Sequence, residues 1–215
     1  FCGVHFMAET AKILSPQKIV LLPDKDAGCP MADMIDADGL KALQADHPDA
    51  ITVCYVNTSA EVKAHCDYSC TSANAVKIVQ HVLSSYKNKQ IIFIPDKYLA
   101  QYVSAQVKQD FIIWEGYCPT HAKLLPENIL DAKKLHPQAK VLVHPECRPT
   151  VTALADVVAS TEGMSKYVKK SPEREFIIGT EIGIIHRMKK ENPDKYFYPV
   201  TEKTLCTNMK RITLE

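Results

Sequence analysis

Cys29 and Cys118 stand 89 residues apart, and Cys118 and Cys206 stand 88 apart. Each lies in a polar or proline-containing loop, "DAGCPMADM", "EGYCPTH" and "KTLCTNMK". Thiolates are soft donors that favour iron–sulfur clusters, zinc or copper. Iron–sulfur clusters are usually held by four cysteines. Three thiolates on a [4Fe–4S] cube would leave one iron open, a Lewis acid able to hold a hydroxyl or carboxylate and suited to dehydration. A rival zinc half-site, Cys118 with His121 in "CPTH", does not recur. The equivalent positions after Cys29 and Cys206 are Ala32 and Met209.

A second group of polar residues accompanies the cysteines. Tyr55 and Asn57 close one apolar run, and His144 and Glu146 close the run 89 residues later. His144 and Glu146, one residue apart on a strand, would share a face and act together in proton transfer. Ser72 in "TSANAV" and Thr161 in "STEGMS" are expected at helix starts. There a hydroxyl beside open backbone N–H groups can hold an anion, such as the carboxylates of a small diacid. His47 and His136, each in "HP", read as helix-to-strand turns, and His65, His81 and His186 as solvated helix faces.

What must position these residues is a repeat. "HPDAITVCYVN" at 47–57 returns as "HPQAKVLVHPE" at 136–146, and His, Pro, Ala, Val, Ala and Asp are identical at 47, 48, 50, 62, 64 and 67 and their partners 89 residues on. Short apolar runs ("ITVCYVN", "QIIFIPD", "KVLVHPE", "EFIIGTE") alternate with helical patterns, which predicts buried parallel strands in βαβ units. In "SANAVKIVQHVL", Val76, Val79 and Leu83 are predicted to form the apolar stripe. Ligands of such sheets bind beyond the carboxyl ends of the strands, where all three loop cysteines fall. The expected fold is α/β, a pseudo-threefold repeat of three-layer α/β/α units with short parallel sheets. The expected boundaries are 1–30 for the tail of a first unit, 31–118 and 119–206 for the second and third, and 207–215 for the start of a C-terminal segment. Residues 1–28 read as helix "HFMAETAKIL" between two strand-like runs, "FCGV" and "KIVLLPD".

The 215 residues carry a net charge of +1, which gives no argument for nucleic acid or an anionic membrane surface. No apolar run is long enough for a bilayer-spanning helix, and "FCGVHFMAET" has no secretory pattern. A cytoplasmic fragment is expected. Cys2, Cys54, Cys66 and Cys70 are predicted to be buried small hydrophobes in a reducing compartment.

The phrases "GVHFMAETAKILSP", "DAGCPMADM", "YVNTSAEVKA", "TSANAV", "PDKYLAQYV", "GYCPTH", "HPE" and "ASTEGM", in this order along the whole chain, resemble the quinolinate synthase family. The resemblance implies three pseudo-symmetric α/β units around a [4Fe–4S] cluster held by Cys29, Cys118 and Cys206. It implies condensation of iminoaspartate with dihydroxyacetone phosphate to quinolinate, a precursor of NAD, with release of phosphate and water. Tyr55, Asn57, Ser72, His144, Glu146 and Thr161 then stand where that family binds substrate. Glu146 is expected to be the general base, with His144 and Tyr55 orienting the intermediate. Ser72 and Thr161 are expected to hold carboxylate or phosphate oxygens. A His and a Ser of the family's first unit precede Phe1, and the family continues beyond Glu215. An iminoaspartate-producing enzyme is the implied partner. The alternatives are a diphthamide-forming radical enzyme of the same architecture, a non-enzymatic iron–sulfur protein and a structural zinc protein.

Overall fold

Strands of two to five residues alternate with helices through most of the computed structural model, which describes residues 2–213. The order begins with α1 (His5–Leu14), a 3-10 turn (Ala32–Met34), α2 (Ala37–Asp46), β1 (Ile51–Tyr55), α3 (Ala60–Lys63) and β2 (Tyr68–Cys70). It continues with α4 (Ala75–Ser85), β3 (Ile91–Ile94), α5 (Lys97–Val107), β4 (Ile112–Ile113), α6 (Pro119–Ala122), α7 (Pro126–Leu135) and β5 (Lys140–Val143). The last elements are α8 (Pro149–Thr152), β6 (Val157–Val158), α9 (Thr161–Lys170), β7 (Glu175–Gly179), α10 (Ile184–Glu191) and β8 (Tyr196–Pro199). Among the described residues no helix is long and apolar enough to cross a membrane.

Two four-stranded, all-parallel sheets result, ordered β2-β1-β3-β4 and β6-β5-β7-β8. The chain divides into two compact units. One runs through Tyr117 and is rejoined by the chain from Cys206 onward; the other is Cys118–Leu205. Each unit holds one of the sheets. In the second unit the strand alternation is plain. Val141, Val143 and Ile177 pack with Leu124, Ile129, Ala132 and Val151 on one face. Leu142, Phe176 and Ile178 pack with Met164, Val168, Ile185 and Met188 on the other. Helices therefore cover both faces, and the fully buried strands read as unbroken apolar runs for that reason. In the first unit Cys54, Ile92 and Ile94 meet Ile35, Leu40 and Val62 on one face.

The identities of the repeat turn out to be scaffold. His47 and His136 are the C-caps of α2 and α7. Ala50 N–H donates to the His47 carbonyl at 3.0 Å, and Ala139 N–H to the His136 carbonyl at 3.1 Å. Val62 and Val151 are both fully buried. Asp67 accepts from Thr52 N–H, and Asp156 from Val141 N–H, each at 2.8 Å. These carboxylates close the edge between the first two strands of each sheet. Burial raises the Asp156 pKa, but the Val141 N–H and Lys140 outweigh it and hold the carboxyl below its ordinary value. Its contribution is present above the unfolded carboxylate pKa and is lost as pH falls through the depressed native one. Asp67→Ala and Asp156→Ala are each expected to cost about 1 kcal/mol, the lower end for a backbone donor left without its acceptor because both carboxylates are partly solvated. Urea unfolding measures it, with equal losses expected for the two variants.

Three local expectations need correction. The run 18–22 forms no strand and lies largely in solvent; Ile19 and Leu21 are 86% and 72% exposed. The buried stripe of α4 is Ala75, Val79 and Val82, with Val76 and Leu83 half-buried on its flanks. Cys54 and Cys70 are buried as expected, but Cys66 is partly exposed and Cys2 exposed.

Candidate functional site

The carboxyl end of the first unit's sheet carries Tyr55, the last residue of β1 and 6% exposed, with half-buried Asn57 just beyond it. Ser72 is half-buried in the turn before α4, whose N-cap is Asn74. The Asn74 side-chain oxygen accepts from the Thr71 N–H at 2.6 Å and from the Thr71 hydroxyl at 3.0 Å. Ser72 is therefore held beside the helix start and is not itself the cap.

Two of the loop cysteines belong to this unit although most of the chain separates them. The Asn208 amide donates to the Gly28 carbonyl at 3.0 Å, tying the segment after Cys206 to the residue before Cys29. Arg211 adds an exposed pair to Asp24 at 2.9 Å. The strand end that leads into Cys118 is fastened to the same region. Trp114 Nε1–H donates to the Met34 carbonyl at 2.9 Å, and the Tyr117 N–H lies 3.4 Å from the Met34 sulfur. Gly116 permits this path: its carbonyl accepts from the Lys97 N–H at 2.8 Å, and a Cβ there would meet the Pro95 oxygen at 2.5 Å. Cys29, Cys118 and Cys206 are all half-buried.

In the second unit the carboxyl end of the sheet gathers four polar residues from four segments. His144 follows β5 directly and is 4% exposed; Glu146 is 3% exposed; Thr180 follows β7 and is 1% exposed; His121, from α6, is 8% exposed. The imidazoles of His121 and His144 stack with centroids 4.6 Å apart. Glu146 Oε2 lies 2.8 Å from His121 Nδ1, and Oε1 lies 3.8 Å from His144 Nδ1. Glu146 N–H donates to His144 Nδ1 at 3.3 Å, which leaves the His144 proton on Nε2. Burial, opposed by Glu146 and assisted by His121, pushes the His144 pKa down to about 4. That ring is neutral near pH 7.

Thr161 is the first residue of α9 and is exposed. The N-cap is Ser160, whose hydroxyl accepts from the Gly163 N–H at 3.1 Å. The sequence pattern points one residue too far, because both residues are hydroxylic and helix dihedrals decide between them. The sequence marks His121 only as half of a zinc pair with Cys118 that does not repeat, and it gives no signal for Thr180. Only the fold supplies Glu146 and Thr180 as neighbours of His121. Cys118 Sγ, a His121 ring nitrogen and a Glu146 oxygen lie within 4.8 Å of one another.

The family model described as "Quinolinate synthetase A protein" matches residues 1–215. A quinolinate synthase of Dehalococcoides mccartyi (strain CBDB1) is 56% identical over 214 residues, spanning 100% of this chain and 70% of that protein. One from Thermodesulfovibrio yellowstonii is 56% identical over 216 residues, with 70% of its length covered. One from Methanosarcina barkeri (strain Fusaro) is 53% identical over 215 residues, with 69% covered. With its whole length matched by that family model and more than half of its residues identical to these relatives, the chain belongs to the quinolinate synthase family.

Proposed function

We propose that this chain is part of an enzyme condensing iminoaspartate with dihydroxyacetone phosphate to quinolinate, with loss of phosphate and water, as a step toward NAD. Family membership supports the reaction class, and one observation carries the site assignment: a carboxylate 3% exposed, Glu146, set against two histidines. Buried carboxylates with such partners are suited to proton abstraction. Glu146 is assigned as the base that takes a proton from carbon, and His144, neutral with its proton on Nε2, as a donor to a substrate oxygen. Tyr55 and Asn57 are assigned to orient the substrate. Ser72 and Thr161 are assigned to its carboxylate or phosphate oxygens. The burial of His144 and Glu146 excludes water from the proton-transfer step.

A [4Fe–4S] cluster held by Cys29, Cys118 and Cys206 fits the donor set: three half-buried thiols, with the Cys206 segment tied back to the Cys29 loop by Asn208. When bound, such a cluster with one open iron supplies a Lewis acid for removing hydroxyl. Iminoaspartate must come from an enzyme that oxidises the corresponding amino acid, the functional partner this reading requires. The test is quinolinate formation by the full-length, anaerobically reconstituted protein from the two small substrates. Product that appears without S-adenosylmethionine supports the assignment, whereas no product from fully loaded protein removes it.

A further inference from the structure

The first unit holds a pair of thiols that the proposed chemistry does not use. Cys54 in β1 is fully buried and packs with Leu40 of α2 and Val62 of α3. Cys66, in the loop between α3 and β2, packs against the same group and is partly exposed. The two thiols hydrogen-bond each other, and Cys66 Sγ has a second acceptor in the Val62 carbonyl at 3.2 Å. Cys54 Sγ lies 3.0 Å from the hydroxyl oxygen of exposed Ser69 on the edge strand β2, so the pair sits just beneath the surface. Half-buried Lys63 donates to the Thr58 carbonyl, and its positive charge acts on both sulfurs.

The scaffold does not require sulfur at this place. The register of β1 with β2, and of β5 with β6, keeps the 89-residue offset through this stretch. At the equivalent positions the second unit has Val143, Ala155 and Val158 for Cys54, Cys66 and Ser69, and Thr152 for Lys63. Val143, Ala155 and Val158 fill that space as apolar packing. One copy thus closes its sheet edge with hydrocarbon, and the other puts two thiols, a hydroxyl and a cation there.

We propose that Cys54 and Cys66 are a redox modification site, a thiol pair that peroxides convert to a reversible disulfide, with Cys66 meeting the oxidant and Cys54 resolving it. The hydrogen bond with Cys66 outweighs burial and, with Ser69, Lys63 and Thr58 assisting, brings the Cys54 pKa down to about 7. The same bond, together with burial, pushes the Cys66 thiol up. Near neutral pH the pair therefore shares one proton, and the Lys63 ammonium balances its negative charge. Cys66 attacks a peroxide oxygen as its proton passes to Cys54. The O–O bond breaks, Cys66 becomes the sulfenic acid, and the departing hydroxide takes the proton from Cys54 to leave as water. The Cys54 thiolate then attacks the Cys66 sulfur, the S–O bond breaks, and the second hydroxide leaves as water after protonation. Two thiols are oxidised to one disulfide, and one peroxide is reduced to two waters.

The test is peptide mapping of the full-length protein, purified anaerobically in the reduced state, treated with hydrogen peroxide, alkylated and cut with trypsin without reduction. Cleavage after Lys63 separates the peptide 42–63, which carries Cys54, from 64–77, which carries Cys66 and Cys70. Wild type is expected to yield these two peptides joined, with fragmentation placing the bond on Cys66, and dithiothreitol is expected to release them. Cys54→Val and Cys66→Ala take their replacements from the second unit, where the same space is filled by those side chains. Both variants are expected to lose the joined species. Cys54→Val is also expected to stop at the Cys66 sulfenic acid, trapped by dimedone, because the resolving thiol is gone. If Cys54→Val does not fold, Cys66→Ala decides the roles, since Cys54 is then expected to escape both oxidation and alkylation in its buried place. No joined species in wild type, a bond within 64–77 between Cys66 and Cys70, or dimedone trapping at Cys54 would overturn the proposal. The mapping reads these residues apart from iron, sulfide and quinolinate, so it stands or falls separately from the proposed function.

Discussion

Anaerobic reconstitution of the full-length protein is expected to load about four iron and four sulfide per chain. Both are lost in Cys29→Ala, Cys118→Ala and Cys206→Ala. Cys147→Ala retains them, because that thiol is 1% exposed within the second unit's apolar core. The three loop thiols are half-buried, as a ligand reached from solvent must be, and Cys54 and Cys70 are buried. Loss in all three variants is the expected signature of one shared group. Independent sites would lose iron in proportion. Asn208→Ala probes the same arrangement without touching a ligand, and slower loading is expected because the Cys206 segment loses its tie to Gly28. Stoichiometric zinc without sulfide in reconstituted wild type would defeat the assignment.

Glu146→Gln is expected to lower turnover about 10²–10⁴-fold, the usual worth of a positioned acid or base. Iron and sulfide content should stay unchanged. Glutamine keeps the volume and one acceptor oxygen, so the buried contacts with His121 and His144 survive while the basicity is removed. The decrease should appear in kcat, with KM changed little, if the carboxylate acts on the reacting carbon rather than in binding. A variant with wild-type kcat would shift the base to another group. A variant that loses the cluster would make Glu146 structural.

The repeat was legible because its marks are local. His-Pro turns, buried Val62 and Val151, and the Asp67 and Asp156 carboxylates recur at one offset, since each serves a contact within a few residues or across one strand pair. Between the second and third strands the offset slips, from 89 for β1 and β5 to 85 for β3 and β7 in register. Helices on the sheet face tolerate changes in length that ladders do not. Site residues differ between the copies, Tyr55 against His144 and Asn57 against Glu146. Outside the loop cysteines, which recur in every copy, identity between repeats thus marks scaffold, and the other site residues lie where the copies diverge.

Alone, the sequence determined the α/β class, the alternation of buried strands with helices, the positions of the loop cysteines and the family. All of these follow from side-chain chemistry at short range: apolar runs, caps, turns and motif strings. Tertiary structure decided that residues 18–22 stay outside the described sheets and that Ser160 caps α9. It also decided that His121 meets Glu146 and Thr180. His121 and Thr180 are 59 residues apart and touch only because α6 and β7 end at the same edge of one sheet. No local pattern encodes such a contact, since it depends on how strand order closes the intervening chain.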